Sequence, residues 1–149
     1  MSTINFISRH DAKILLQVGF PSSTALISVS DTMGERQEIF DLAKAKGVPA
    51  FVCVAKDIDS DESGFTVDLA TAMQDFISGA IQAKENIIVH CLAGVSRSGA
   101  IAKWINDYYN LDYWYLSDYK GHNKYIYEIM NEAAGISLSA HYRELEKVK

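Results

Sequence analysis

Three short apolar runs rich in β-branched residues punctuate the chain, TALISVS at 24–30, AFVCVA at 50–55 and NIIVHC at 86–91. Near-continuous apolar runs of this length are what strands buried on both faces require, and such strands belong to mostly parallel sheets covered by helices. The segments between them change period. MGERQEIFDLAKAKG offers Ile39, Phe40, Leu42 and Ala43 as a buried helical face and stops at Gly47 and Pro49. In TVDLATAMQDFISGAIQAKEN the apolar residues Leu69, Met73, Phe76, Ile77, Ala80 and Ile81 recur at helical spacing. A further stripe follows the third strand, through Ile101, Ala102, Ile105 and Tyr108 or Tyr109, and two more helices are expected near 122–134 and 137–148, separated by Gly135. The fold class expected is α/β, a central mostly parallel sheet flanked by helices.

Composition narrows this. A chain of 149 residues that is 48% hydrophobic can build one core, and no linker or repeat divides it, so a single domain over 1–149 is expected. The first twenty residues mix charge and polarity too evenly for a secretory segment, and no apolar run approaches the ~18 residues of a membrane span. A cytoplasmic location and no membrane partner are the expectation. Cys53 and Cys91, the only cysteines, both follow strand-like runs, poor material for a disulfide framework. A net charge of −5 argues against nucleic acid as a partner, because phosphate backbones are met by basic faces.

The chemistry is concentrated where the third strand ends, in HCLAGVSRSG. Five residues separate Cys91 from Arg97, and the order strand, loop, helix aims backbone N–H groups at an anion. The same field favours the thiolate of Cys91, making it a nucleophile at neutral pH. Arg97 can grip two phosphoryl oxygens with its planar fork, which lysine cannot do. Gly94 suits a positive φ or a close backbone approach. Ser98 can donate a hydrogen bond to the cysteine sulfur and help it leave, and His90 fits an orienting role better than that of a base. Leu92, Ala93, Gly94, Val95 and Ser96 complete the anion-binding loop.

This stretch resembles the signature HCxxGxxR[S/T] of cysteine-dependent protein tyrosine and dual-specificity phosphatases, and the order of elements from about 50 to 110 is similar to the compact dual-specificity group. The resemblance implies a dual-specificity-phosphatase-like fold, phosphomonoester hydrolysis through a cysteinyl-phosphate intermediate, no metal or organic cofactor, and an aspartate general acid roughly thirty residues before the nucleophile. KDIDSDES lies there, with Asp57, Asp59 and Asp61 at 34, 32 and 30 residues before Cys91. Asp57 ranks first because it follows the strand directly, Asp59 has the spacing closest to the family's, and Asp61 is third. The loop interior has neither the lysine of phosphoinositide phosphatases nor the asparagine of RNA triphosphatase-like relatives, so a phosphoprotein or phosphopeptide substrate is expected, phosphotyrosine with phosphoserine/threonine as an addition.

Two other readings share the loop: an arsenate reductase, for which only Cys53 is available as a resolving cysteine, and a phosphoprotein-binding module on an inactive phosphatase fold, which usually lacks the cysteine or arginine retained here. Outside the loop, Cys53 reads as core rather than as a redox partner of Cys91. The aromatic segment with Tyr113, Trp114, Tyr115, Tyr119, Tyr125 and Tyr127 reads as helix packing rather than a substrate wall. His122 and His141 lack partners at metal-ligand spacing. Ser28, Ser30 and Asp31 end the first predicted strand where ligands gather in open α/β sheets, with helix capping by Ser30 or Asp31 the favoured role.

Overall fold

The structure is a computed structural model that describes residues 2–135. Four strands form one parallel sheet in the order β1-β4-β2-β3, with β1 at Ile4–Ser8, β2 at Thr24–Ser30, β3 at Ala50–Val54 and β4 at Asn86–Cys91. Among the described residues six α-helices accompany them: α1 (Arg9–Val18), α2 (Met33–Ala45), α3 (Val67–Gln82), α4 (Arg97–Tyr108), α5 (Trp114–Ser117) and α6 (Lys124–Ala133).

The period-2 geometry of strands divides the core. Ala25, Ile27 and Val29 of β2 face the larger cluster, built with Met73 and Ile77 of α3, Ile101 and Ile105 of α4, and Ile126 and Met130 of α6. Leu26 faces the other way, against Leu16 of α1 and Ile39 and Ala43 of α2. Both faces of β2 are therefore buried over its whole length, which is why its sequence reads as an unbroken apolar run.

The three expected strands are present, and β1 and α1 join them from a segment whose mixed composition gave no strand signal. Ile4 is the one fully buried residue of β1, an edge strand with a half-exposed far end. The second helix buries Ile39 and Ala43 but leaves Phe40 more than one-third exposed, because the face against the sheet is narrower than the sequence stripe. Just past α4, Tyr109 packs on the core, whereas Tyr108 at the helix end stacks outside on Trp104. The helix expected over 122–134 is α6, whereas that expected over 137–148 lies outside the described residues.

The aromatic segment does more than pack helices. Tyr113 and Tyr115 donate their hydroxyls to the backbone carbonyls of Ser2 and Ile4, tying the edge strand to the C-terminal third of the chain. Edge strands need their free backbone groups covered, and phenolic hydroxyls do that here.

Candidate active site

β4 delivers Cys91 to the C-terminal edge of the sheet, almost wholly buried, and α4 begins at Arg97. The connecting loop turns back over the end of β1. Gly94 holds φ +72°, and a Cβ there would lie under 3.0 Å from the backbone of Ile7 and Ser8. The Arg9 amide donates to the Leu92 carbonyl at 3.1 Å, fastening the loop to the start of α1. Tyr119 fastens its other side by donating its hydroxyl to the Val95 carbonyl at 2.7 Å.

Ser96 stands at the N-cap position of α4, yet its side chain does not cap that helix. Its hydroxyl donates instead to Asp57 Oδ1 at 2.8 Å. The first-turn amides of α4 therefore remain available to an anion. Burial pushes the Cys91 thiol up, but hydrogen bonds from the Ser98 hydroxyl and from the amides of Ser98, Val95 and Gly94 outweigh it, and the thiol sits below its ordinary range. Ser98 Oγ lies 3.2 Å from Cys91 Sγ. Such a nest of donors around sulfur favours thiolate. His90, fully buried on the other face of β4, is lowered to about 4 chiefly by burial and so is neutral.

Arg97 is also buried. Its Nη1 donates to Asp31 Oδ1 and to the Ala55 carbonyl, each at 2.7 Å, while Nε has no partner among the described residues. A guanidinium with one nitrogen spent on the protein and Nε unpaired presents its remaining edge to a bidentate oxyanion. The helix-capping role expected of Ser30 or Asp31 is corrected here. Thr32 caps α2 by accepting from the Glu35 amide, Ser30 Oγ accepts from Arg9, and Asp31 holds Arg97. The position at a strand's C-terminal end carried the right signal; the pairing across 66 residues did not show.

The three loop aspartates separate. Asp57 Oδ1 accepts from Ser96 of the signature loop and from Asn123 Nδ2 at 2.9 Å, so its carboxylate borders the loop. Asp59 Oδ1 accepts from the Tyr125 amide at 2.9 Å in the first turn of α6. Asp61 opens a one-turn 3-10 helix over Asp61–Ser63. A cleft of about 330 Å³ beside the loop is lined by Asp57, Asp59, Ser96, His122, Asn123 and Lys124, and Asp61 is not in it. Leu92 and Val95, 55% and 48% exposed, give the loop an apolar outer surface, and Ala93 is exposed with them.

Cys53 is buried in the core, and burial pushes its thiol up to about 12. It pairs in register with Val29, and continuing the β2–β4 register puts Cys91 on the far side of Val29. Two strand spacings, about 9–10 Å, separate the cysteine backbones, beyond the ~7 Å reach of a disulfide. Among the described residues no group of three His, Cys, Asp or Glu is arranged to hold a metal, and no helix is long and apolar enough to cross a membrane.

A parallel sheet ending in a Cys-x5-Arg loop that cradles a depressed thiol defines the class of cysteine-based phosphatases. Within that class the chain belongs to the dual specificity phosphatase catalytic domain family, whose model matches residues 20–141. Solved structures agree in fold. The active form of Tk-PTP is 13% identical with a TM-score of 0.53, covering 99% of this chain and 90% of that one. Cydia pomonella PTP-2 phosphatase is 16% identical with a TM-score of 0.54, covering 97% and 84%. PTPMT1 in complex with PI(5)P is 13% identical with a TM-score of 0.53, covering 89% and 93%. No curated protein matches the sequence.

Proposed function

We propose that this chain, acting as one phosphatase domain, hydrolyses phosphomonoesters on proteins or peptides through a cysteinyl-phosphate intermediate. The Cys91 thiolate attacks phosphorus while Arg97 and the amides of residues 92–97 hold the equatorial oxygens. Asp57 protonates the leaving oxygen as its bond to phosphorus breaks. Asp57, now a carboxylate, then takes a proton from the attacking water as the S–P bond breaks. Ser98 stabilises the departing thiolate, and inorganic phosphate leaves.

The observation that carries this reading is the Cys91 sulfur itself, buried yet surrounded by the donors of Gly94, Val95 and Ser98. Asp57 is favoured over Asp59 as acid because its carboxylate meets the signature loop, whereas Asp59 is engaged by the Tyr125 amide. A protein substrate is favoured over a phosphoinositide because no cation lies between Cys91 and Arg97 to meet further phosphates, and Leu92 and Val95 offer apolar surface to a side chain. The PI(5)P-bound fold relative makes that lipid the rival to include.

The test is phosphate release from p-nitrophenyl phosphate, a phosphotyrosine peptide, a phosphoserine peptide and PI(5)P. Cys91→Ser should abolish every activity, and Asp57→Asn should lose far more than Asp59→Asn. Faster turnover of PI(5)P than of either peptide would refute the substrate reading, and equal losses in the two aspartate variants would refute the acid assignment.

A further inference from the structure

We propose that Asn123 is the positioning residue of the general acid, fixing which oxygen of Asp57 carries the proton; this rests on Asp57 being that acid. Asn123 is nearly buried at the start of α6, and every polar group of it is engaged. Its backbone N–H donates to the Ser96 carbonyl at 3.0 Å, and its carbonyl accepts from Tyr127. Its Oδ1 caps α6 by accepting from the Ile126 amide at 3.0 Å. Its Nδ2 donates to Asp57 Oδ1 at 2.9 Å and to the Ile58 carbonyl at 3.3 Å. The network fixes the amide orientation: the Ile126 amide can only donate and the Ile58 carbonyl can only accept, so a flipped side chain would lose both bonds.

One side chain thus joins the acid loop, the signature loop and a helix end. The consequence lies in the carboxyl group. Ser96 Oγ and Asn123 Nδ2 both donate to the same oxygen, Oδ1. In a protonated carboxyl group the oxygen that accepts two hydrogen bonds is the carbonyl oxygen, so the proton resides on Oδ2. Asp57 is otherwise exposed on a loop, where free rotation about its carboxyl torsion would leave the proton on the wrong side of the leaving group much of the time. Asn123, together with Ser96, removes that freedom by holding Oδ1 from two sides.

Asn123→Ser keeps a side-chain oxygen able to cap α6 but no longer reaches Asp57 with an amide, and Asn123→Asp keeps the cap while presenting a carboxylate in place of the donor. Both variants are compared with wild type and with Asp57→Asn in kcat and KM for p-nitrophenyl phosphate and for phenyl phosphate, whose leaving group is the poorer and needs the acid more. Circular dichroism and thermal unfolding check the fold. For both Asn123 variants the ratio of the two kcat values should shift against phenyl phosphate by about tenfold, in the direction of Asp57→Asn, with KM little changed. Added to Asp57→Asn, Asn123→Ser should shift the ratio no further. Equal losses with both substrates in folded Asn123 variants, alongside a shifted ratio in Asp57→Asn, would overturn the proposal alone. An unshifted ratio in Asp57→Asn would overturn the acid assignment and the proposal with it.

Discussion

Replacing Gly94 by alanine tests the contact on which the loop is built. Two costs apply, and a second glycine separates them. Gly94 and Gly47 both hold left-handed backbone, at φ +72° and +67°, but a Cβ at Gly47 would meet nothing within 4 Å, whereas at Gly94 it would press into the Ile7–Ser8 backbone. An alanine in that conformation costs about 1–2 kcal/mol at either site. Overpacking adds about 1–3 kcal/mol at Gly94 alone, since the obstacle is backbone and cannot swing aside. Gly47→Ala should therefore destabilise by about 1–2 kcal/mol and Gly94→Ala by about 2–5 kcal/mol. Urea unfolding followed by tryptophan fluorescence reads both, with equal slopes confirming that the unfolded states are comparable. Turnover supplies a second readout, because relief of the clash displaces the amides around Cys91: Gly94→Ala should lose most activity and Gly47→Ala little. Equal destabilisation within about 0.5 kcal/mol, with activity intact in both, would refute the packing argument.

Iodoacetamide at neutral pH should modify one thiol in the native protein, Cys91, and two after unfolding; modification of Cys53 in the native state would contradict a thiol raised to about 12 by burial. His90 ordinarily titrates at 6.5 and in the fold near 4, so between those values the unfolded state binds more protons and stability falls as pH drops, by up to about 3 kcal/mol. Unfolding free energies from pH 7 to 4 should show that slope reduced in His90→Asn, and an unchanged slope would rule His90 out as its source. Asp31→Asn should free Arg97 from its charged anchor and weaken competitive inhibition by inorganic phosphate about tenfold. Inhibition as strong as in wild type would show that the Ala55 carbonyl alone suffices.

The sequence made legible whatever a local pattern carries. β2 and β4 announced themselves because both faces are buried, and the Cys91-to-Arg97 spacing carried the loop because its geometry lies within seven consecutive residues. β1 was hidden because an edge strand with one fully buried residue has no apolar run, and α5 because four residues show no period. The partners of the site were hidden for a different reason. Asp31 meets Arg97 across 66 residues, Asn123 meets Asp57 across 66, and Tyr119 meets Val95 across 24. No spacing rule reaches that far. Asp57 and Asp59 differ by two residues in sequence, and only the position of α6 and Ser96 in space tells them apart.

The pairing of β1 with β4 joins Ile4 to Ile87, and further ties on the loop, the acid segment and the edge strand come from Tyr113, Tyr115, Tyr119 and Asn123. On a ribosome the chain emerges N-terminus first, and contacts between such distant segments must wait for the later one. HCLAGVSRSG is therefore translated before Tyr119 and Asn123, the residues that hold Val95 and Asp57. Until those residues are made, the Val95 carbonyl lacks its Tyr119 partner and Asp57 has only Ser96 of its two donors. The cysteine comes early in the chain, but the full set of hydrogen bonds around its loop closes only with the segment through Asn123.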